Sequence, residues 1–323
     1  MDKGAKIYVA GHRGLAGSAI CRALAAGGYT NIVTRSHADL DLTDSGATRR
    51  FFEAERPAHV FLAAARVGGI IANDTYPAEF IRENLAIQNN VIHEAWRAGV
   101  DRLLFLGSSC IYPRDCPQPI KEEYLLTGPL ESTNRAYALA KIAGVETCWS
   151  YNRQYGTRFL AVMPTNLYGP GDNFDLQNSH VIPALMRKMH EAKIGAARSV
   201  VIWGTGNPMR EFLYSDEMAD ACLFLATLSD ALLAPLVGHK EIAPLINVGS
   251  GCDQTIRELA KLIAEVVGFA GTLAFDASKP DGTPQKLLDV TRLNRMGWTS
   301  QISLRDGLRA SYAAFLLTST AAQ

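Results

Sequence analysis

Lys6-Ile7-Tyr8-Val9-Ala10-Gly11-His12-Arg13-Gly14-Leu15-Ala16-Gly17 sets the reading of the whole chain. An apolar, strand-like run ends in Gly-x-x-Gly-x-x-Gly, and the residues after it open a helical pattern. Small residues in that turn let the backbone approach a pyrophosphate at a helix N-terminus, where unpaired N–H groups and the helix dipole favour an anion. The spacing differs from the commoner Gly-x-Gly-x-x-Gly, and a glycine triplet standing alone is equally a merely tight turn. Here, however, apolar runs recur at 31–34, 59–64, 102–107 and 158–163 with helical patterns between them. That alternation predicts an α/β fold, a Rossmann-type doubly wound parallel sheet, and makes residues 11–17 the dinucleotide turn.

Residues 1–168 read as the nucleotide-binding domain and 169–323 as mainly a smaller substrate-binding lobe, with a segment near 240–253 returning to the first domain. No low-complexity linker separates the two, so the chain is expected to cross between them. With 32 basic and 32 acidic residues there is no net field for nucleic acid or an anionic membrane, and an anionic ligand must be met by local charge. The opening residues lack the apolar stretch of a signal peptide and no later run suits a membrane span, so a cytoplasmic enzyme is expected. Six scattered cysteines without a Cys-x-x-Cys pair indicate neither a metal site nor a disulfide framework.

The second strand runs out through Val33-Thr34-Arg35-Ser36-His37, where an NAD-specific fold usually offers a carboxylate to the ribose. None stands there. Arg13 and Arg35, helped by His37, are suited to a 2′-phosphate, which favours NADP(H) over NAD, although either arginine alone is as readily a surface charge. Asp41 and Leu42 are candidates to border the adenine pocket. Leu106, Gly107, Ser108 and Ser109 after the fourth strand, and Pro164, Thr165, Asn166 and Leu167 after the fifth, are expected to line the cofactor, with Asn166 the foremost polar contact.

Tyr137 and Lys141 stand four residues apart in Arg135-Ala136-Tyr137-Ala138-Leu139-Ala140-Lys141. On a helix that spacing makes them neighbours, and the ammonium is expected to draw the phenol's titration toward neutrality. Ser108 supplies a second hydrogen bond to the same substrate oxygen, leaving a carbonyl ready for hydride. Taken alone, a Tyr-x-x-x-Lys is more often a half-buried tyrosine beside a solvated lysine. Combined with the glycine turn and Ser108, the chain resembles the extended short-chain dehydrogenase/reductases. The resemblance extends to the GDP-L-fucose synthase family through Ala63-Ala64-Ala65-Arg66-Val67-Gly68-Gly69-Ile70, Gly107-Ser108-Ser109-Cys110-Ile111-Tyr112-Pro113, Met163-Pro164-Thr165-Asn166-Leu167-Tyr168-Gly169-Pro170, Asn178-Ser179-His180-Val181-Ile182-Pro183, Pro208-Met209-Arg210-Glu211-Phe212 and 276–284.

That resemblance implies conversion of GDP-4-keto-6-deoxy-D-mannose to GDP-L-fucose, by epimerisation at C3 and C5 followed by NADPH-dependent reduction at C4. It places the epimerase base and acid on Cys110 and His180, which flank a ketone whose neighbouring protons are acidified by enolate formation. His180 and Lys141 also fall among its cofactor contacts. Arg210, Trp203, Asp281 and Lys188 become substrate contacts, Lys188 where arginine is expected. Each has a plainer reading: a buried thiol for Cys110, a structural histidine for His180, core packing for Trp203. Stretches 78–98 and 134–155 resemble the helices that pair in a homodimer of this superfamily, or simply cover the sheet. The competing assignments are a nucleotide-sugar 4-epimerase or 4,6-dehydratase, and a silent NADP(H) sensor.

Overall fold

The computed structural model describes residues 1–176, 179–279 and 281–320; Asn178 and Pro280, within the quoted motifs, lie outside the described residues. β1 (Ile7–Ala10) pairs in parallel with β2 (Ile32–Val33) on one side and β3 (His59–Leu62) on the other. The parallel sheet continues through β4 (Arg102–Leu106) and β5 (Phe159–Pro164). The chain then builds β6 (Asn166–Tyr168), β7 (Ser199–Trp203) and β8 (Met209–Tyr214) before β9 (Leu245–Val248) returns beside β5 as the sixth strand. The order β2-β1-β3-β4-β5-β9 is doubly wound, with all four residues of β1 essentially free of solvent contact. A strand covered on both faces has no reason to alternate, which is why these runs are continuously apolar.

The helices are α1 (Leu15–Ala26), α2 (Ser45–Glu55), α3 (Ile70–Thr75), α4 (Pro77–Arg97), α5 (Arg135–Tyr155), α6 (Val181–Ile194) and α7 (Ser215–Thr227), with shorter or later ones referred to by residue range. Ile20 and Leu24 of α1 and Met218 and Leu225 of α7 fill one face of the sheet. Phe52 of α2, Val91 and Ile92 of α4 and Val145 of α5 fill the other. A third core, with Met186 of α6, Phe212 of β8 and Ile263 of the helix Ile256–Val267, belongs to the second lobe. There β8 is the hub: it pairs in parallel with β6, antiparallel with β10 (Asp253–Thr255) and in parallel with β12 (Gln285–Lys286), while β11 (Thr272–Asp276) pairs with β7. Among the described residues no single helix is long and apolar enough to cross a membrane.

α5 reaches the sheet closely because Gly144 has no side chain. A Cβ there would lie 2.4 Å from Cζ of Phe105, a ring almost wholly buried in β4. Exposed helix glycines gain about 1 kcal/mol on replacement by alanine, but here overpacking against an immobile ring costs more, roughly 1–3 kcal/mol. Gly144→Ala is therefore expected to lower the urea midpoint at unchanged slope; a stabilised variant would show that α5 has room to shift.

Candidate active site

At the first turn Gly11 adopts φ +83°, and a Cβ on it would sit 2.6 Å from the Ala64 nitrogen; one on Gly17 would sit 2.1 Å from the Gly11 oxygen. Neither position admits a side chain, so the ends of β1 and β3 and the first turn of α1 close into a cradle. α1 starts at Gly14 with no side-chain cap and no acid in its first turn, which leaves N–H groups for an anion. His12 Nδ1 is buried there without a protein partner. These features fit the pyrophosphate of a nicotinamide dinucleotide.

Arg13 is exposed. Arg35 is ion-paired to Glu55, donates to the Thr34 oxygen and lies 5.5 Å from the Phe51 ring centroid. Both arginines also act on Asp39, a carboxylate that sequence reading passed over. Asp39 accepts from the Ser36 nitrogen and hydroxyl, bonds that hold its pKa down with lesser help from Arg13 and Arg35. A carboxylate thus stands beside both arginines, two residues beyond His37. His37 is exposed and 3.9 Å from Asp41, whose Oδ1 accepts from Thr43. Leu42 is buried in the core of this face rather than open to a pocket.

The candidate catalytic side chains gather at the carboxyl end of β4. Ser108 caps the short 3-10 helix Ser109–Ile111 that carries Cys110, accepting from the Cys110 nitrogen at 3.4 Å. Tyr137 sits in the first turn of α5 and Lys141 one turn on. Lys141 is 3% exposed, donates to the Leu106 oxygen at 2.7 Å and lies 5.7 Å from the Tyr137 ring centroid. Burial depresses its pKa to about 8, with Cys110 pulling the other way. Gly107, between Leu106 and Ser108, lets the strand end run against Met163, whose Cε is 2.0 Å from where a Cβ would stand.

The lowered phenol expected from the lysine is not what the structure shows. Burial, then Cys110, raises the Tyr137 pKa, and the Ser108 hydrogen bond opposes them. The ammonium is directed at the Leu106 carbonyl, and desolvation is the largest influence on the phenol. Tyr137 is therefore a neutral donor at pH 7, the form needed to hydrogen-bond and protonate an oxyanion. The Cys110 thiol is likewise pushed up by burial, with Lys286, Ser108 and Lys141 pulling it down.

Lys286 is the residue sequence reading missed. It lies in β12 across from Arg210 of β8, and burial lowers its pKa while Cys110 raises it. Its signal was a lone cation directly before Leu287-Leu288. Pro164 and Thr165 are buried at the end of β5. Thr165 Oγ1 and Asn166 Nδ2 both donate to the Glu211 carbonyl, at 3.2 and 2.9 Å, so the Asn166 amide nitrogen is already engaged and Leu167 is half-buried beside it.

His180 is the N-cap residue of α6 without a side-chain cap bond; the residue is exposed overall, yet neighbouring protein partly desolvates its imidazole and lowers its pKa. Trp203 is 57% exposed at the end of β7, which removes core packing as its role; Lys188 and Lys279 lie 5.4 and 5.6 Å from its ring centroid. Arg210 donates to the Met209 oxygen, and burial lowers its pKa against the pull of Asp281. Asp281 binds Thr205 through both oxygens, at 2.7 Å each, and so fixes the loop after Trp203.

The family model described as NAD dependent epimerase/dehydratase matches residues 7–237. The chain belongs to this family. It is 57% identical to GDP-L-fucose synthase 1 of Arabidopsis thaliana over 98% of this chain and 94% of the relative, and 55% identical to GDP-L-fucose synthase of Escherichia coli over 96% of each. Among solved structures it resembles a GDP-D-glycero-L-gluco-heptose synthase of Campylobacter jejuni crystallised in the presence of NADPH, with TM-score 0.91, 38% identity, and 98% and 99% of the two chains covered.

Lys141 yields a pH prediction. The unfolded lysine keeps its proton to about 10.5 and the folded one only to about 8. Between those values the unfolded chain binds the extra proton, so stability rises with pH, and the cost of the buried charge is fully present below pH 8. Urea unfolding of wild type and Lys141→Met is expected to show the wild type gaining on the variant as pH rises through this window. A constant difference would contradict the buried ammonium.

Proposed function

We propose that this protein converts GDP-4-keto-6-deoxy-D-mannose to GDP-L-fucose, epimerising C3 and C5 and then reducing C4 with NADPH. The observation that carries the reading is the placement of Cys110 beside Ser108, Tyr137 and Lys141, with the charge of Lys286 also acting on it. A simple ketoreductase needs a hydrogen-bonding pair for the carbonyl and a lysine. This site adds a thiol near two cations, the buried Lys141 and the half-buried Lys286, and a histidine at the start of α6, which suits proton exchange at carbons next to the same carbonyl. The sequence likeness to GDP-L-fucose synthases of plants and bacteria supports the same substrate class.

Tyr137 and Ser108 hold the C4 oxygen. As electron density moves onto that oxygen they stabilise the enolate, and the proton from C3 or C5 passes to Cys110, whose thiolate Lys286 and Lys141 favour. His180 returns a proton on the opposite face, inverting the centre. NADPH, when bound, supplies hydride to C4. Tyr137 then gives its proton to the oxygen, and Lys141, fixed by the Leu106 carbonyl, holds the ribose end in register. Gly11, His12, Gly14, Leu15, Ala16 and Gly17 receive the pyrophosphate, with Arg13 and Arg35 meeting the 2′-phosphate in competition with Asp39 and Glu55. Arg210, Lys188 and Trp203, joined by Lys279, take the nucleotide diphosphate of the sugar.

The enzyme works as a homodimer through α4 and α5, in support of which Trp96 stacks on Tyr155 at 4.3 Å while Tyr155 and Leu139 remain exposed. Light scattering is expected to report twice the 35.1 kDa chain mass; a single-chain mass would contradict this.

The second reading is C4 reduction of a GDP-keto sugar without epimerisation, favoured by the likeness to the Campylobacter enzyme. NADPH oxidation with GDP-4-keto-6-deoxy-D-mannose in deuterated water separates the two. A fucose-configured product carrying deuterium at C3 and C5 is expected, and Cys110→Ser is expected to slow that exchange by roughly 10²-fold or more, as is His180→Gln. Reduction with no deuterium at either carbon would leave the plain ketoreductase.

A further inference from the structure

Glu211 is 0% exposed in β8, and no cation faces its carboxylate among its described contacts. The carboxylate is instead met by hydrogen-bond donors from the 250–251 turn and from Leu288, with the Thr165 hydroxyl also acting on it. Oε1 accepts from the Gly251 nitrogen at 2.7 Å and from the Ser250 hydroxyl at 3.5 Å, and Oε2 accepts from the Leu288 nitrogen at 3.0 Å. Gly249 is bare to admit it, since a Cβ there would lie 2.2 Å from Oε1. A buried carboxylate is costly unless its donors are all in place. What it holds explains why it is kept.

Leu288 follows directly on Lys286-Leu287, and Lys286 pairs across the strands with Arg210, the residue next to Glu211. The same segment is held from its far side by the Rossmann domain: the Leu287 nitrogen donates to Gln118 Oε1 at 2.9 Å, and Ile120 exchanges backbone bonds with Leu287 and Asp289. Gln118 and Ile120 lie on the stretch leading away from Cys110.

We propose that Glu211 is a positioning residue, whose carboxylate clamps the 286–288 segment and so sets Lys286 against Cys110 and Arg210. The cofactor side of β8 is tied chiefly through the Glu211 backbone oxygen, which accepts from Thr165 and Asn166 and which a side-chain change leaves in place, while the Thr165 hydroxyl adds a lesser contribution at the carboxylate. The clamp therefore governs the proton-exchange and sugar-binding half of the site and not the dinucleotide half. The inference rests on the proposed epimerase-reductase reading for its catalytic consequence, but its structural part does not.

Glu211→Gln keeps the shape and replaces one acceptor oxygen by an N–H group that faces a donor. Amide hydrogen exchange read by mass spectrometry, with no substrate present, is expected to speed up at 249–251 and 286–289 while 11–17 and 165–166 keep wild-type protection. Unchanged protection at 286–289 overturns the clamp whatever the substrate proves to be. In turnover, Glu211→Gln is expected to raise the KM for the GDP-keto sugar and slow C3/C5 exchange by about tenfold or more, with NADPH affinity held within about twofold. Adding Lys286→Met to Glu211→Gln is expected to cost little beyond Lys286→Met alone, because both act through one cation. Independent, multiplying losses, or a parallel loss of NADPH binding, would overturn the positioning role. Wild type that turns over no GDP-keto sugar would count against the activity alone. Should Glu211→Gln fail to fold, Gln118→Ala frees the same segment from the opposite side and is read by the same exchange pattern and the same Lys286→Met pairing.

Discussion

An ammonium sealed inside the protein, donating to a strand-end carbonyl, is the constraint on which the site depends. Lys141 reaches from α5 to the Leu106 oxygen at the last residue of β4, and that bond, added to the packing of α5 on the sheet, ties the helix to the strand end where the candidate catalytic groups stand. The price is a lysine whose proton is held more weakly than in water. Because the helix approaches over a glycine and the strand leaves over another, Gly144 and Gly107, Tyr137 in the preceding turn is delivered beside Ser108. Charge, backbone and phenol therefore meet at one contact between two elements that are far apart in sequence.

The same enclosure decides the protonation states. A tyrosine beside a lysine in water is drawn toward the phenolate; at half-buried Tyr137 desolvation of the phenolate is instead the largest influence and keeps the phenol neutral. Tyr137 therefore starts as an acid, which suits both stabilising an enolate and protonating an alkoxide. In the proposed exchange Cys110 needs the opposite form; burial opposes it, and two cations favour it, Lys286 of β12 and Lys141 of α5.

The doubly wound sheet was legible because buried parallel strands are continuously apolar, and the glycine turn was legible because close backbone approach excludes every other residue. Tyr137, Lys141, Ser108 and Cys110 were legible from spacing and motif, and they do converge. What escaped the sequence was set by partners remote along the chain. Asp39 became relevant to the two arginines because the turn after β2 folds it back on Ser36, and Lys286 because β12 pairs with β8. Leu42 and the Asn166 amide read as cofactor contacts, yet one is core and the other binds the Glu211 carbonyl. Local pattern reports which residues can do chemistry; register decides which of them already have partners.

If one oxygen contact serves both reactions, losing it must impair both. The direct measurement is deuterium wash-in at C3 and C5 of GDP-4-keto-6-deoxy-D-mannose by Tyr137→Phe, with hydride transfer followed in parallel. The account predicts that exchange and reduction fall together, because the enolate and the alkoxide lose the same donor. Wild-type exchange in a variant that no longer reduces would contradict it, and would separate the two activities onto different groups.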